Sequence, residues 1–148
     1  MAETLRYAFI MLLSGIGIPV LAALNSQLGA RLGAPVAASV VLFLVALIVC
    51  VTALVVSGQG PALAALPAQP PYLMLGGTLV AFYVLSVTFV APRFGVGNAV
   101  FCVLMGQMIA ASTIDHFGLF GAIQHPVSTI RAMGLAAMTI GLVLVQRG

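Results

Sequence analysis

The sequence predicts an all-α integral membrane protein with five transmembrane helices. Of its 148 residues, 63% are hydrophobic and 5% charged, whereas soluble domains carry about 25% charged residues. The mean hydropathy is +1.27. The apolar residues form continuous blocks rather than the alternation of a membrane β-barrel. Five of these blocks are long enough, at about 1.5 Å per helical residue, to approach or exceed a hydrocarbon core of about 30 Å.

The first block, residues 7–30, is uncharged. Arg6, the apolar run and Ala22-Ala23 have the layout of a signal peptide, yet four more blocks follow and the segment is expected to remain as a helix. Gly33-Ala34-Pro35 makes a turn that puts proline where a helix can begin, opening a second span over residues 35–57. Residues 58–71 hold four of the eight prolines and no charge, which predicts an irregular interfacial loop. The third span, 72–90, is stopped by Pro92-Arg93, and the fourth, 96–114, by the stretch Asp115-His116-Phe117-Gly118. After a glycine- and proline-punctuated loop comes the fifth, 129–145. It is the shortest, with only residues 132–146 uncharged beyond Arg131, so that arginine is expected to snorkel to the interface. Together the five make a single membrane domain over residues 1–148, in contact with the lipid bilayer and with no room for a soluble domain.

Several functions are excluded by what the chain lacks. Its five arginines are scattered singly over a net charge of +3, so no nucleic-acid surface is implied. Cys50 and Cys102 have no Cys or His at ligand spacing, and neither a metal site nor a cofactor is expected. Ser14, Asp115 and His116 come from different membrane depths, and no nucleophile elbow, metal-binding helix or phosphate loop is present; the chain does not read as an enzyme.

Inside a span, a polar group marks either a helix contact or a watery cavity. Gly15, Gly17 and Pro19 sit near the middle of the first span, where proline leaves the Gly15 carbonyl unbonded. This is either a helix break of the kind that lines transporter sites or a packing kink. Ser14 and Asn25 lie about 20° apart on a helical wheel and can share a cavity, while Gln27 and Arg31 finish the helix at the headgroups. Tyr83, central in the third span, either lines a pocket for an organic solute or bonds to a neighbouring helix. Gln107, central in the fourth, starts a row continued by Ala111 and Asp115, and is read as substrate-binding with helix glue as the alternative. Asp115 and Arg131 bracket one loop and can pair as a clamp or gate, with a relay through Asp115 and His116 as the second reading, since imidazole titrates near neutrality. Gly134, Ala137 and Gly141 give the fifth span a small-residue face for close packing or dimerisation.

Arginines in short loops favour the cytoplasm. With five spans, Arg6 and Arg131 fall on one face and Arg31, Arg93 and Arg147 on the other, which is nearly no bias. Both orientations are therefore expected to coexist.

The segments LNSQLGARLG (Leu24 to Gly33), APRFGVGNA (Ala91 to Ala99) and GQMIAASTIDHFGLFG (Gly106 to Gly121), with Arg131-Ala-Met-Gly134, resemble the five-helix, YdcZ-type, EamA-like branch of the drug/metabolite transporter superfamily. The resemblance spans nearly the whole chain and is most specific around Gln107, Asp115, His116, Phe117 and Gly118. It implies a multi-pass protein of the bacterial inner membrane, equivalent to half of a ten-helix transporter whose two halves have opposite orientations. Small multidrug resistance relatives are similar in size but have four helices and a glutamate embedded in the first; here Glu3 lies outside the first span. The resulting expectation is an antiparallel homodimer that moves a small organic solute by alternating access, with Ser14, Asn25, Tyr83 and Gln107 lining its site. The rival from another class is a noncatalytic structural subunit of a membrane complex, its polar residues serving as helix glue.

Overall fold

A computed structural model describes residues 2–147. Internal contacts divide the chain into two compact units, one ending at Val96 and the other starting at Gly97. All regular elements among the described residues are helical: α1 (Ala2–Leu32), α2 (Pro35–Val56), α3 (Leu75–Phe94), α4 (Val96–Phe117) and α5 (Thr129–Arg147). Each is long and apolar enough to cross a membrane.

The α1–α2 turn follows from three residues. Gly33 takes φ +62°, a left-handed conformation that a residue with a Cβ resists. It lets the Ala34 N–H donate to the Gly29 carbonyl at 3.1 Å and the Gly33 N–H to that of Ala30 at 3.2 Å, the paired bonds of a Schellman cap. Pro35 then opens α2 at a position whose N–H has no helical acceptor.

Several segments differ from the sequence expectation, α4 among them, since it runs through Asp115 and His116 to Phe117. Residues 58–71 are not irregular, because Gly60–Ala68 and Pro71–Met74 form 3₁₀ turns. The proline φ near −65° suits that geometry, and Pro61 and Pro71 sit at starts where no donor is needed. α3 continues through Pro92 to Phe94, where the missing N–H and the crowding of the carbonyl four residues back affect only the final turn. α1 also passes through Pro19 as one helix. The space beside Gly15 and Gly17 is open, with no neighbouring atom within 4 Å of where a Cβ would stand.

In the first unit, α1 packs on α2 and α3, and α2 on α3. The buried positions hold small or medium side chains, several of them polar: Ala22, Asn25, Ser26 and Gly29 on α1, Ala38 and Ser39 on α2, and Val84, Val87, Thr88 and Ala91 on α3. Lipid tails are as apolar as leucine, so helices gain by close backbone approach rather than by hiding large side chains. Gly29 is the point of closest approach. A Cβ there would stand 3.1 Å from the Pro35 Cα and 3.3 Å from the Thr88 Cγ2.

Gly29→Val should therefore push α2 and α3 away from α1. We expect a loss of about 1–3 kcal/mol, the usual cost of overpacking, read as a lower melting temperature in lipid nanodiscs. An unchanged melting temperature would contradict the tight crossing.

Candidate functional site

Asn25 is the polar centre of the first unit. Its residue is 5% exposed, and its amide nitrogen donates to the Thr88 hydroxyl at 2.6 Å and to the Ser39 hydroxyl at 3.4 Å. Both hydroxyls are already donors, Thr88 to the Val84 carbonyl at 2.7 Å and Ser39 to the Pro35 carbonyl at 3.1 Å. They can therefore serve Asn25 only as acceptors, which fixes which end of the amide faces them. One side chain ties three helices. Asn25 also stands in the wall of a groove of about 380 Å³ between α1 and α2, with Leu24, Leu28, Val41 and Val45.

The other candidates in this unit lie apart from that centre. Ser14 is exposed and returns its hydroxyl to the Ile10 carbonyl at 3.0 Å. Tyr83 is half-buried, and its hydroxyl is buried with no hydrogen-bond partner; the Ser26 hydroxyl is in the same condition. No hydrogen bond joins Ser14, Asn25 and Tyr83 to one another among the described residues.

In the second unit, Gln107 is exposed on α4. The rest of its polar chemistry gathers where α4 ends. Arg131 donates to the Asp115 carboxylate at 2.6 Å, with both side chains about a third exposed. The carbonyl of Asp115 accepts from the His125 N–H at 2.8 Å, and that of His116 from the Gln124 side-chain amide at 3.1 Å. The Val127 N–H donates to His116 Nδ1 at 3.1 Å. Ser128 caps α5 by accepting from the Arg131 N–H at 3.2 Å. A helix end needs partners for its last carbonyls, and here the returning loop supplies them.

Gly134 and Gly141 on α5 have no atom within 4 Å of a built Cβ, and no residue of α5 is buried. The small-residue face, with Ala137 between them exposed, is bare in the single chain.

With this geometry in view, a family model described as "Putative inner membrane exporter, YdcZ" matches residues 6–144. The chain belongs to that family. Membership of the YdcZ exporters and the five apolar helices together make it a multi-pass membrane protein of a transport family. Comparison with curated proteins and comparison with solved structures found no match.

Ser39, Thr88, Gln124 and Ser128 were not singled out in the sequence. Ser128 had a local signal, a serine three residues before Arg131 at the start of an apolar run. Ser39 and Thr88 had none, because a hydroxyl that can satisfy itself on the preceding turn looks the same whether or not a neighbour uses it.

The Asp115–Arg131 pair is partly exposed, so its worth is modest. Asp115→Asn should lower stability by about 0–1 kcal/mol and Arg131→Met by a similar amount, with the double variant no worse than either alone, as thermal melts would show. Additive losses would mean that the two side chains act separately.

Proposed function

We propose that the protein is a small-molecule exporter that works by alternating access as an antiparallel homodimer, each chain supplying one of two inverted five-helix halves. The observation that carries the reading is the exporter-family match over residues 6–144, together with five candidate spans among the described residues. A single five-helix unit has no inverted mate within itself, and inverted pairs are how many transporters build two access states around one site.

Three features support it. The arginines are split two against three between the two faces, which gives membrane insertion little to read. The small-residue face of α5 is bare, as suits a helix that packs against a second copy. Gln107, central in α4, is exposed in the single chain, and a glutamine left facing hydrocarbon is costly. Twofold symmetry in the membrane plane would set the two glutamines across a shared cavity, with Ser14, Asn25 and the Tyr83 hydroxyl as further lining. Asp115, Arg131 and His116 would form the gate at one end. The cargo is a small organic solute without multiple charges, because few charges stand near the middle of the spans to receive one.

Gln107→Leu is the direct test. It keeps side-chain volume and removes the amide, so expression and dimerisation should persist while solute flux in reconstituted liposomes falls by about tenfold or more, the equivalent of about 1.4 kcal/mol. Wild-type flux in that variant would remove Gln107 from the site, and no flux by the wild-type chain across a broad metabolite panel would remove the transport reading.

A further inference from the structure

Gln107 and the groove beside the end of α4 lie on different faces of that helix. Ser112 and His116, one helical turn apart, share the groove with Thr113 and with an apolar wall of Ile109, Val127 and Leu135. Its volume is about 390 Å³, within the range of about 300–1,000 Å³ usual for small-molecule sites.

Two of its polar groups have chemistry left over. The His116 Nδ1 accepts the Val127 N–H. An imidazole nitrogen that accepts cannot carry the ring proton, so the neutral ring holds it on Nε2 and presents a donor there. The ring is further held edge-to-face against Phe117, with centroids 4.7 Å apart. Ser112 is only 7% exposed. A helical serine or threonine ordinarily closes on the carbonyl one turn back, and its neighbour Thr113 does so, onto Ile109 at 2.9 Å. Ser112 makes no such bond and has no hydrogen-bond partner among the described residues, although it lines the groove. Its hydroxyl is thus left free to donate into the groove, where a ligand oxygen can accept it.

We propose that this groove binds an uncharged amphipathic molecule through one acceptor oxygen, such as that of an amide or ester, held by the His116 Nε2–H and the Ser112 hydroxyl. Its apolar body lies on Ile109, Val127 and Leu135. The charge of the ligand follows from what surrounds it. Arg131, the cation of this turn, is committed to Asp115, so an anion has no free partner. The negative end of the α4 dipole disfavours one further. A cation finds no free carboxylate, and His116 offers it a donor rather than an acceptor.

The binding is distinct from transport and is tested without flux. The full chain in lipid nanodiscs, with ¹⁵N-labelled histidine rings, is titrated with octanamide, octanoate and octylammonium, which share one apolar tail. The His116 resonance is the one missing from His116→Asn. In the free protein it should report the Nε2–H tautomer, and octanamide should shift it saturably while the two charged probes bind at least several-fold more weakly. Ser112→Ala should weaken octanamide by about 3–10-fold, the span of one hydrogen bond. His116→Asn should do the same with the turn intact, because its Oδ1 can still accept the Val127 N–H. An Nδ1–H tautomer, equal binding of all three probes, or full octanamide affinity in both variants would each overturn the proposal. A chain that binds octanamide yet moves no solute would sink the transport reading and leave this site standing, and a chain that transports without any octanamide response would do the reverse.

Discussion

The amide of Asn25 is the interaction on which the first three helices depend. In hydrocarbon no water waits to satisfy an amide, so a buried asparagine must find protein partners. It finds them on two other helices at once, the Thr88 hydroxyl at 2.6 Å and the Ser39 hydroxyl at 3.4 Å. Such bonds are worth only about 0.6–2 kcal/mol each. Their larger effect is on specificity, because they fix one register among helices whose apolar faces would slide past each other at little cost. The small residues around them make the reach possible. Gly29 brings Pro35 and Thr88 to within 3.1 and 3.3 Å of where its Cβ would be, and the Schellman cap at Gly33 returns α2 at the angle that approach needs.

The end of α4 solves a different problem by different means. Its closing carbonyls are taken by the loop that follows, through the His125 N–H and the Gln124 amide, and the loop is in turn anchored on His116 Nδ1 and on Asp115 through Arg131. Each residue of Asp115-His116 therefore has a backbone task and a side-chain task. This limits what the pair can do in a proton relay: the imidazole nitrogen that faces the loop is occupied, and only Nε2 is available for other chemistry.

How much of this was legible in the sequence depended on whether a residue could satisfy itself locally. The five spans were legible because long uncharged blocks and their glycine and proline stops need no tertiary context; the ends moved where proline proved compatible with a last turn or a 3₁₀ turn, and where polar residues joined a terminal turn, as at Asp115 to Phe117 in α4. Asp115 and Arg131 could be paired on paper because one loop separates them. Asn25 stood out because an amide has more donors and acceptors than its own helix can satisfy, but its partners did not, since Ser39 and Thr88 bond their own helices as well. Ser112 was hidden for the opposite reason: only the structure shows that it forgoes the bond its neighbour Thr113 makes.

What remains unsatisfied in one chain points outward. Gln107 faces out from α4, and α5 buries no residue at all. The second, inverted copy we propose would complement them, and it would place a demand on biosynthesis, since the same chain would have to insert both ways. The direct measurement is a single cysteine added at the C-terminus, with the exposed Cys50 and Cys102 replaced, probed in intact cells with a membrane-impermeant thiol reagent. Roughly half of the chains should label, as the near-absent arginine bias implies. Labelling near zero or near completion would contradict it and leave a parallel assembly or a different partner chain.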